Sequence, residues 1–247
     1  MESSVRLGLE QSVIDQLSAY GVACSPQQAR VLIRHLELVI EKNKVVNLTR
    51  ITDPGEAVSL HVVDSLLPLS CDDVALNRSC KYLDMGTGAG FPGIPLGIMT
   101  GAHGLLVDSV NKKVQAVGEF ARALGLSSLH ARHARIEELP AQIGASQDYV
   151  FARAVAQSNV LIEYATPLLK KGGRLVLEKG RPSDDELRAA AAAAKICGMT
   201  QVSRETFELP GNLGHREIII FERTGSPSIA LPRKTGEAKR RPLGAEA

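Results

Sequence analysis

From residue 80 onward, short apolar segments alternate with amphipathic segments of helical length, and this alternation restricts the fold more than any other feature. The apolar runs predict seven strands, at 80–84, 104–108, 127–131, 147–152, 173–178, 200–208 and 216–222. Helical spacing predicts helices near 93–100, 112–124, 157–169 and 183–197. Such alternation favours a mostly parallel sheet with helices on both faces.

The last two predicted strands are joined only by Leu209-Pro-Gly-Asn-Leu-Gly214, which suits a hairpin. One edge strand should therefore run antiparallel to the others. A mostly parallel seven-stranded sheet that ends in an antiparallel hairpin is typical of the α/β class I (Rossmann-like) methyltransferase fold. The nicotinamide-binding folds lack this hairpin.

The first part of the chain has helical patterns and lacks the alternation of strands and helices. Two helical patterns occupy the first 43 residues, and the second begins at the capping sequence Ser25-Pro-Gln-Gln28. Asp53-Pro-Gly-Glu56 starts another helix on the same logic. We predict a helical N-terminal extension over 1–78 packed on the core, a methyltransferase domain over 79–223 and a basic tail over 224–247.

Length and composition exclude several classes. The 247 residues are 44% hydrophobic and 23% charged, as expected of a soluble globular protein with one sizeable core. No apolar run reaches the roughly 18 residues of a membrane span, and the N-terminus has no secretory signal pattern. The four cysteines are scattered, which argues against a disulfide frame or a zinc site. We expect a cytoplasmic protein without a metal or a membrane contact, and a monomer.

Positive charge is concentrated near the C-terminus. Residues 231–247 contain five Lys or Arg against two Glu, a net +3 compared with +2 for the whole chain. The rest of the chain therefore carries −1. Basic tails often contact nucleic acid, although many only aid solubility, and the composition of this tail does not decide between the two.

A glycine-rich turn follows the first predicted strand and reads Asp84-Met-Gly-Thr-Gly-Ala-Gly-Phe-Pro-Gly93. Glycine has no Cβ, so the backbone can approach a ligand closely. The spacing Gly88-x-Gly90-x-x-Gly93 also fits a dinucleotide-binding turn. However, the carboxylate of Asp84 would repel a pyrophosphate and attract the ammonium and sulfonium groups of S-adenosylmethionine. We interpret the turn as an S-adenosylmethionine site that includes Asp84, Gly86, Gly88 and Gly90.

Other candidate residues follow the first two strands, because ligands of such sheets bind beyond the carboxyl ends of the strands. Phe91 could lie along an adenine. Asp108 follows the second strand and could accept both ribose hydroxyls. Its alternative role is to cap the helix that begins near Asn111, and position makes the ribose role the better interpretation.

The third strand is followed by Arg135-Ile-Glu-Glu138. An apolar residue beside a carboxylate can close over an adenine, which makes Ile136 and Glu137 candidates for that role. The two glutamates could instead form a solvated first helical turn. Spacing alone gives Arg135 no role.

Arg153 follows the fourth predicted strand, where enzymes that methylate exocyclic amines usually carry Asn/Asp-Pro-Pro-aromatic. Enzymes that methylate pyrimidine C5 need a cysteine, generally after a proline, and no cysteine of this chain follows one. Guanine N7 fits these absences, because its exposed lone pair needs no base to remove a proton. Arg153 could pair with a guanine edge or a phosphate, or form a salt bridge near the strand end.

Three more residues could lie at the same rim. Lys179 lies at the tip of the fifth predicted strand and adds a cation. His61 and Asn47 lie on segments that could fold over the rim. Taken singly, His61 is more often a structural histidine, and Asn47 is more often a loop or capping residue.

These segments together resemble the bacterial small-subunit (16S) ribosomal RNA guanine-N7 methyltransferases, the RsmG or GidB family, in order over almost the whole chain. The most specific is the glycine turn continued by Phe-Pro-Gly-Ile-Pro-Leu96. The others are Asn47-Leu-Thr, His61-Val-Val-Asp-Ser65, Asp108-Ser-Val-Asn-Lys112, Arg135-Ile-Glu-Glu138, Ala152-Arg-Ala154, Leu168-Leu-Lys-Lys-Gly-Gly-Arg174, Lys179-Gly180, Pro232-Arg-Lys-Thr-Gly236 and Pro242-Leu243.

The resemblance implies a set of contacts. Those to S-adenosylmethionine are implied at Gly86, Phe91, Ile136, Glu137 and Arg153. A rim that faces small-subunit ribosomal RNA or the 30S particle is implied at Arg135, Arg153 and Lys179. To these RNA-binding candidates we add Asn47, His61 and the tail residues Arg233 and Lys234. No catalytic base is implied.

The chain departs from the family at two positions. Lys42 stands where the family usually has a tryptophan, and Leu231 stands where it often has a tyrosine. Both changes remove aromatic surface on which an RNA base could stack.

Two other functions are compatible with parts of this pattern. A small-molecule methyltransferase would need a closed apolar pocket, which 4% aromatic residues and several rim cations disfavour. A non-catalytic RNA- or nucleotide-binding module would bind NAD instead of S-adenosylmethionine, and a calorimetric titration would distinguish the two ligands.

Overall fold

The computed structural model describes residues 3–245. A seven-stranded sheet has the order β3-β2-β1-β4-β5-β7-β6, in which β1 to β5 run parallel and β7 is antiparallel to both of its neighbours. The strands are β1 Lys81–Met85, β2 His103–Asp108, β3 Leu129–His133, β4 Gln147–Arg153, β5 Leu169–Lys179, β6 Met199–Glu208 and β7 His215–Arg223. The predicted α/β class I methyltransferase fold and its terminal hairpin are confirmed.

Helices cover both faces of the sheet. They are α1 Ser3–Ala19, α2 Pro26–Asn43, α3 Pro54–Ala57, α4 Gly93–Thr100, α5 Asn111–Ala123, α6 Pro140–Ile143, α7 Ser158–Ala165, α8 Asp184–Cys197 and α9 Glu237–Arg240. The N-terminal helices share one apolar core with Tyr82 and Phe151, whereas α7 and α8 share the other with Leu83 and Val150. The division into units at 78/79 and 223/224 stays a prediction.

Two elements differ from the sequence-based expectation. The helix after β4 ends at Ala165 and not at 169, because Leu169 already pairs with Gln147 at the start of β5. The register then shifts before Tyr149 pairs with Arg174, so the pairing of β4 with β5 is irregular at this point.

The segment after Asp53 begins as predicted, with the Asp53 side chain accepting a hydrogen bond from the Glu56 amide at 2.8 Å. It then continues as a π-helix over Val58–Val63 and a 3-10 helix over Asp64–Ser70. Pro68 lies inside the latter and has no amide to extend a regular α-helix. This segment, residues 58–70, lies against the sheet near the ends of β5 and β7.

Candidate active site

The strand order changes direction between β1 and β4, and a cavity of about 350 Å³ lies at the carboxyl ends of the strands beside this point. Sites for small molecules usually fall within about 300–1,000 Å³, and doubly wound sheets bind ligands at such a switch point. The lining residues are Met85, Gly86, Val107, Asp108, Ser109, Val110, Lys113, Ala134, Arg135, Ile136, Glu137, Val155, Tyr164, Gly236 and Lys239. We refer to this space as the cofactor cavity.

A larger concavity, of about 750 Å³, lies between α5 and β3. Its wall includes Leu129 and His130 at the beginning of β3, away from the carboxyl ends of the strands. The smaller cavity is therefore the better candidate, because the glycine turn and the strand-end side chains converge on it.

The glycine turn lies beside the cofactor cavity in a left-handed backbone conformation. Gly86 has φ +74°, and its amide donates to the Val107 carbonyl at 2.9 Å. A Cβ at this position would lie 2.7 Å from Cγ2 of Val155, which also lines the cavity. Gly88 and Gly90 also have positive φ, but they support the turn from outside the cavity lining.

Asp84 is fully buried behind the turn and does not face the cofactor cavity. Its Oδ2 accepts from the Gly93 amide at 2.9 Å, and Oδ1 has no hydrogen-bond partner among the described residues. Burial raises the pKa of this carboxyl to about 6. The sequence predicts that the charge of Asp84 attracts the ligand directly. In the structure this carboxylate instead contacts the backbone of the turn.

Asp108 lines the cofactor cavity with both carboxylate oxygens already engaged. Oδ2 accepts from the Gly88 amide at 3.1 Å, and Oδ1 accepts from the Val110 amide at 2.8 Å. The side chain therefore joins the glycine turn to the start of α5, as the capping alternative anticipated in part. Each oxygen keeps a further lone pair for a ligand hydroxyl.

The segment after β3 forms the opposite wall of the cavity. Ile136–Glu138 is a single 3-10 turn, with Ile136 and Glu137 at the cavity. Oε1 of Glu137 accepts from the Tyr164 hydroxyl at 3.1 Å and from the Gly236 amide at 3.0 Å. Tyr164 and Gly236 are therefore part of this wall, although their positions in the sequence gave no sign of it.

Arg153 does not line the cofactor cavity, because segment 58–70 holds its guanidinium. It donates to the Leu60 carbonyl and to Oδ2 of Asp64, both at 3.0 Å. Oδ1 of the same aspartate accepts from Arg216 of β7 at 2.8 Å. Asp64 thus ties the segment to β4 and β7, which corresponds to the salt-bridge alternative for Arg153.

A further buried acid lies beside this network. Glu178 of β5 pairs in register with Arg153, and neither of its carboxylate oxygens has a hydrogen-bond partner among the residues described. Burial raises the pKa of this carboxyl well above the usual range of a glutamate. Sequence reasoning singled out neither Glu178 nor Arg216.

The two aromatic candidates near Arg153 pack on each other. The rings of Phe91 and His61 are stacked, with centroids 4.7 Å apart and an interplanar angle of 12°. The ring of His35 also packs on Phe91, with the two ring centroids 4.6 Å apart. Phe91 therefore has protein neighbours at its ring and does not line the cofactor cavity.

His61 is also enclosed. Its Nε2 lies 2.8 Å from the Thr49 hydroxyl, and burial together with the nearby Arg153 charge lowers its pKa to about 4. At neutral pH it is uncharged, and its buried ring is not available at the surface for RNA. This is the structural role that the sequence argument considered more common for a single histidine.

Two of the expected rim cations are paired within the protein. Nζ of Lys179 lies 2.7 Å from Oε1 of Glu186 and also donates to the Ala156 carbonyl. Arg233 forms a two-point ion pair with the buried Glu163. Neither side chain is the free phosphate-binding cation that the sequence suggested.

Other polar candidates remain exposed. Arg135 and Lys234 are exposed and have no ion pair within residues 3–245. Asn47 is exposed at the loop after α2. Arg135 lines the cofactor cavity together with Lys113 and Lys239, two cations that motif reasoning did not identify.

Comparison with known proteins identifies the family. The sequence profile of the GidB family, described as rRNA small subunit methyltransferase G, matches residues 28–218. The chain belongs to this family. It is similar to the ribosomal RNA small subunit methyltransferase G of Staphylococcus epidermidis, with 37% identity covering 93% of this chain and 96% of the relative. The corresponding Carboxydothermus hydrogenoformans protein is 35% identical, covering 91% and 95%.

Solved structures agree with this assignment at the level of the fold. A SAM-dependent methyltransferase from Aquifex aeolicus superposes with a TM-score of 0.52 at 18% identity, covering 69% of this chain and 94% of that one. A geranyl diphosphate methyltransferase, solved with its substrate and sinefungin, gives 0.57 at 12% identity, covering 81% and 100%. As a member of the GidB family with this fold, the protein is a methyltransferase that uses S-adenosylmethionine.

The groups that line the cofactor cavity are chemically suited to S-adenosylmethionine. It has backbone exposed at Gly86, a carboxylate at Asp108 and apolar surface from Ile136 and Val155, which suit a methionine moiety, a ribose and an adenine. Within residues 3–245 no group of three or more His, Cys, Asp or Glu side chains could hold a metal ion. No helix in the described part of the chain is long and apolar enough to cross a membrane.

Proposed function

We propose that this protein transfers a methyl group from S-adenosylmethionine to N7 of a guanine in small-subunit (16S) ribosomal RNA. Family membership supports the class of substrate, since the curated relatives are named ribosomal RNA small subunit methyltransferases. The choice of N7 depends on the groups at the carboxyl end of β4. The single observation that carries it is that none of these groups is a free base.

The groups that could accept a proton there are already engaged or buried. Asp64 is paired with two arginines. His61 is hydrogen-bonded to Thr49 and has its pKa lowered to about 4. Glu178 is buried, and this burial raises its pKa well above the usual range of a glutamate. An acceptor that had to lose a proton would find no available base among these side chains, whereas guanine N7 attacks through a lone pair and has no proton to lose.

The protein's contribution is then alignment and exclusion of water. When bound, S-adenosylmethionine supplies an electrophilic methyl group on a sulfonium. Gly86 has no side chain, so the cofactor can lie directly against the main chain there. Asp108 accepts hydrogen bonds from the ribose hydroxyl groups, and Ile136 and Val155 cover the adenine. Holding two reactants in a reactive geometry can contribute about 7–11 kcal/mol without any proton transfer.

RNA binding is assigned to the cations at and beside the cavity. Arg135, Lys113 and Lys239 line the cavity, and Lys234 lies exposed a few residues before Lys239. Guanidinium and ammonium groups in such positions bind phosphates and give salt-dependent affinity. We infer that the RNA backbone lies across this side of the cavity while one guanine enters the site.

A methyl-transfer assay tests the substrate class. The protein is incubated with methyl-labelled S-adenosylmethionine and one of three substrates that lack the modification: small ribosomal subunits, naked small-subunit RNA, or large-subunit RNA. We expect label in small-subunit RNA, in one or both of its forms, and none in large-subunit RNA. Equal labelling of both RNAs, or label in neither, would contradict the proposal.

A further inference from the structure

The C-terminal segment is folded onto the body of the protein. We call residues 231–243 the strap. Ala238 of the strap is buried in the core formed by α7 and α8, and Leu231 and Leu243 pack against that core. Just beyond it, Gly244 lies so close to α8 that a Cβ there would meet the Ala189 carbonyl oxygen. The strap is therefore docked on the body of the protein.

Two polar contacts anchor the strap to α7. Arg233 donates two hydrogen bonds to Glu163, whose side chain is only 3% exposed. Near the other end, Nδ2 of Asn159 donates to the Leu243 carbonyl at 2.8 Å. Arg233 also donates to the Arg241 carbonyl, which closes the strap on itself. Removing one partner of a buried ion pair leaves an uncompensated charge, so undocking of the strap at Glu163 is costly.

The middle of the strap forms part of the wall of the cofactor cavity. Gly236 and Lys239 line the cavity, and the Gly236 amide donates to Oε1 of Glu137 at 3.0 Å. The same oxygen accepts from the Tyr164 hydroxyl. Gly236 has φ +79°, a conformation that side chains rarely adopt, which fits a backbone turned toward Glu137.

From these contacts we propose that the strap is a cofactor-binding element, which completes the adenosine end of the cavity when Arg233 is paired with Glu163. The proposal rests on the assignment of the cavity to S-adenosylmethionine. Arg233 and Glu163 are positioning residues, since they act through Gly236 and Lys239. Because a wall that is present only in the docked state binds the cofactor only in that state, cofactor binding and strap docking must strengthen each other.

The strap also carries exposed cations, among them Lys234, Lys239 and Arg240. Docking brings Lys239 to the cavity and keeps the others on the same short segment. A filled cofactor cavity therefore favours the arrangement in which these charges are fixed beside the site that receives RNA.

Calorimetric titration with S-adenosylhomocysteine tests the proposal on the full-length chain. We compare wild type with Arg233→Gln and with the control Arg240→Gln, which removes the same charge from the same strap at an exposed position without an ion pair among the described residues. We expect Arg233→Gln to weaken binding by about tenfold or more, which corresponds to about 1.4 kcal/mol. Arg240→Gln should bind with an affinity within about twofold of wild type, a difference of about 0.4 kcal/mol.

Trypsin cleavage of the wild-type strap gives a second test that needs no variant. S-adenosylhomocysteine should slow cleavage after Lys234, Lys239 and Arg240 by shifting the strap toward its docked state. Wild-type affinity in a folded Arg233→Gln protein, or equal cleavage with and without ligand, would overturn the proposal for the strap and leave the proposed function intact. Failure of wild type to bind the ligand would instead overturn the cofactor-site assignment.

Discussion

Replacing Gly86 with alanine should damage both the stability of the protein and its cofactor site. The residue has φ +74°, and its new Cβ would lie 2.7 Å from Cγ2 of Val155. A left-handed backbone costs about 1–2 kcal/mol for a residue with a Cβ. Overpacking adds about 1–3 kcal/mol, because a valine has few other rotamers available. We therefore expect a loss of about 2–5 kcal/mol in unfolding free energy.

Gly21→Ala is the matched control for this substitution. Gly21 has φ +73°, and a Cβ there would have no heavy atom within 4 Å. It therefore carries the backbone cost alone, about 1–2 kcal/mol, and lies outside the cofactor cavity. The double variant Gly86→Ala/Val155→Ala removes the clashing methyl groups and should recover part of the loss in stability.

Urea unfolding followed by circular dichroism measures the stability, and calorimetry measures the affinity for S-adenosylhomocysteine. Gly86→Ala should weaken binding by about tenfold or more, or about 1.4 kcal/mol, whereas Gly21→Ala should leave it unchanged. If the two variants lose equal stability and Gly86→Ala binds like wild type, then neither the Val155 contact nor the cavity assignment is correct.

Four other substitutions probe separate parts of the site. Asp64→Asn leaves two arginines without their carboxylate and should cost about 3–5 kcal/mol in urea unfolding, whereas a loss below about 1 kcal/mol is what a surface pair gives. Burial lowers the pKa of His61 to about 4. The contribution of neutral His61 to the free energy of unfolding is therefore complete above about pH 6.5 and is lost as the pH falls toward 4. His61→Gln should reduce this pH dependence, which urea unfolding at several pH values measures. The pKa of Asp84 is raised to about 6, so protonation of this carboxyl favours the folded state as the pH falls. Asp84→Asn removes this gain and should therefore steepen the loss of unfolding free energy on acidification. Arg135→Gln should weaken RNA binding and reduce the slope of log K against log salt by about one, and an unchanged slope in filter-binding assays would show that Arg135 contacts no phosphate.

The order of strands and helices could be predicted because it depends on local patterns. Strand-length apolar runs, the capping box at Ser25 and the short connection between the last two strands each report on neighbouring residues. The glycine turn could be located for the same reason, since Gly86, Gly88 and Gly90 adopt positive φ where the chain turns after β1.

The pairing of side chains could not be predicted in the same way. Arg233 meets Glu163 across 70 residues, and Asp64 meets Arg216 across 152. Such contacts depend on how helices and strands pack, and no local spacing records them. Charge was the least reliable guide, because Asp84, Lys179 and Arg233 all looked available in the sequence, whereas the fold buries the first and pairs the other two.

The central claim is that the acceptor atom is guanine N7, and the most direct test is to locate the methyl group on the base. Small-subunit RNA labelled by the purified protein is digested to nucleosides, and the labelled nucleoside is identified by mass spectrometry against N7-, N1- and N2-methylguanosine standards. We predict that all of the label is in N7-methylguanosine. Label in N2-methylguanosine or in a methylated pyrimidine would contradict a site that works without a proton-accepting base.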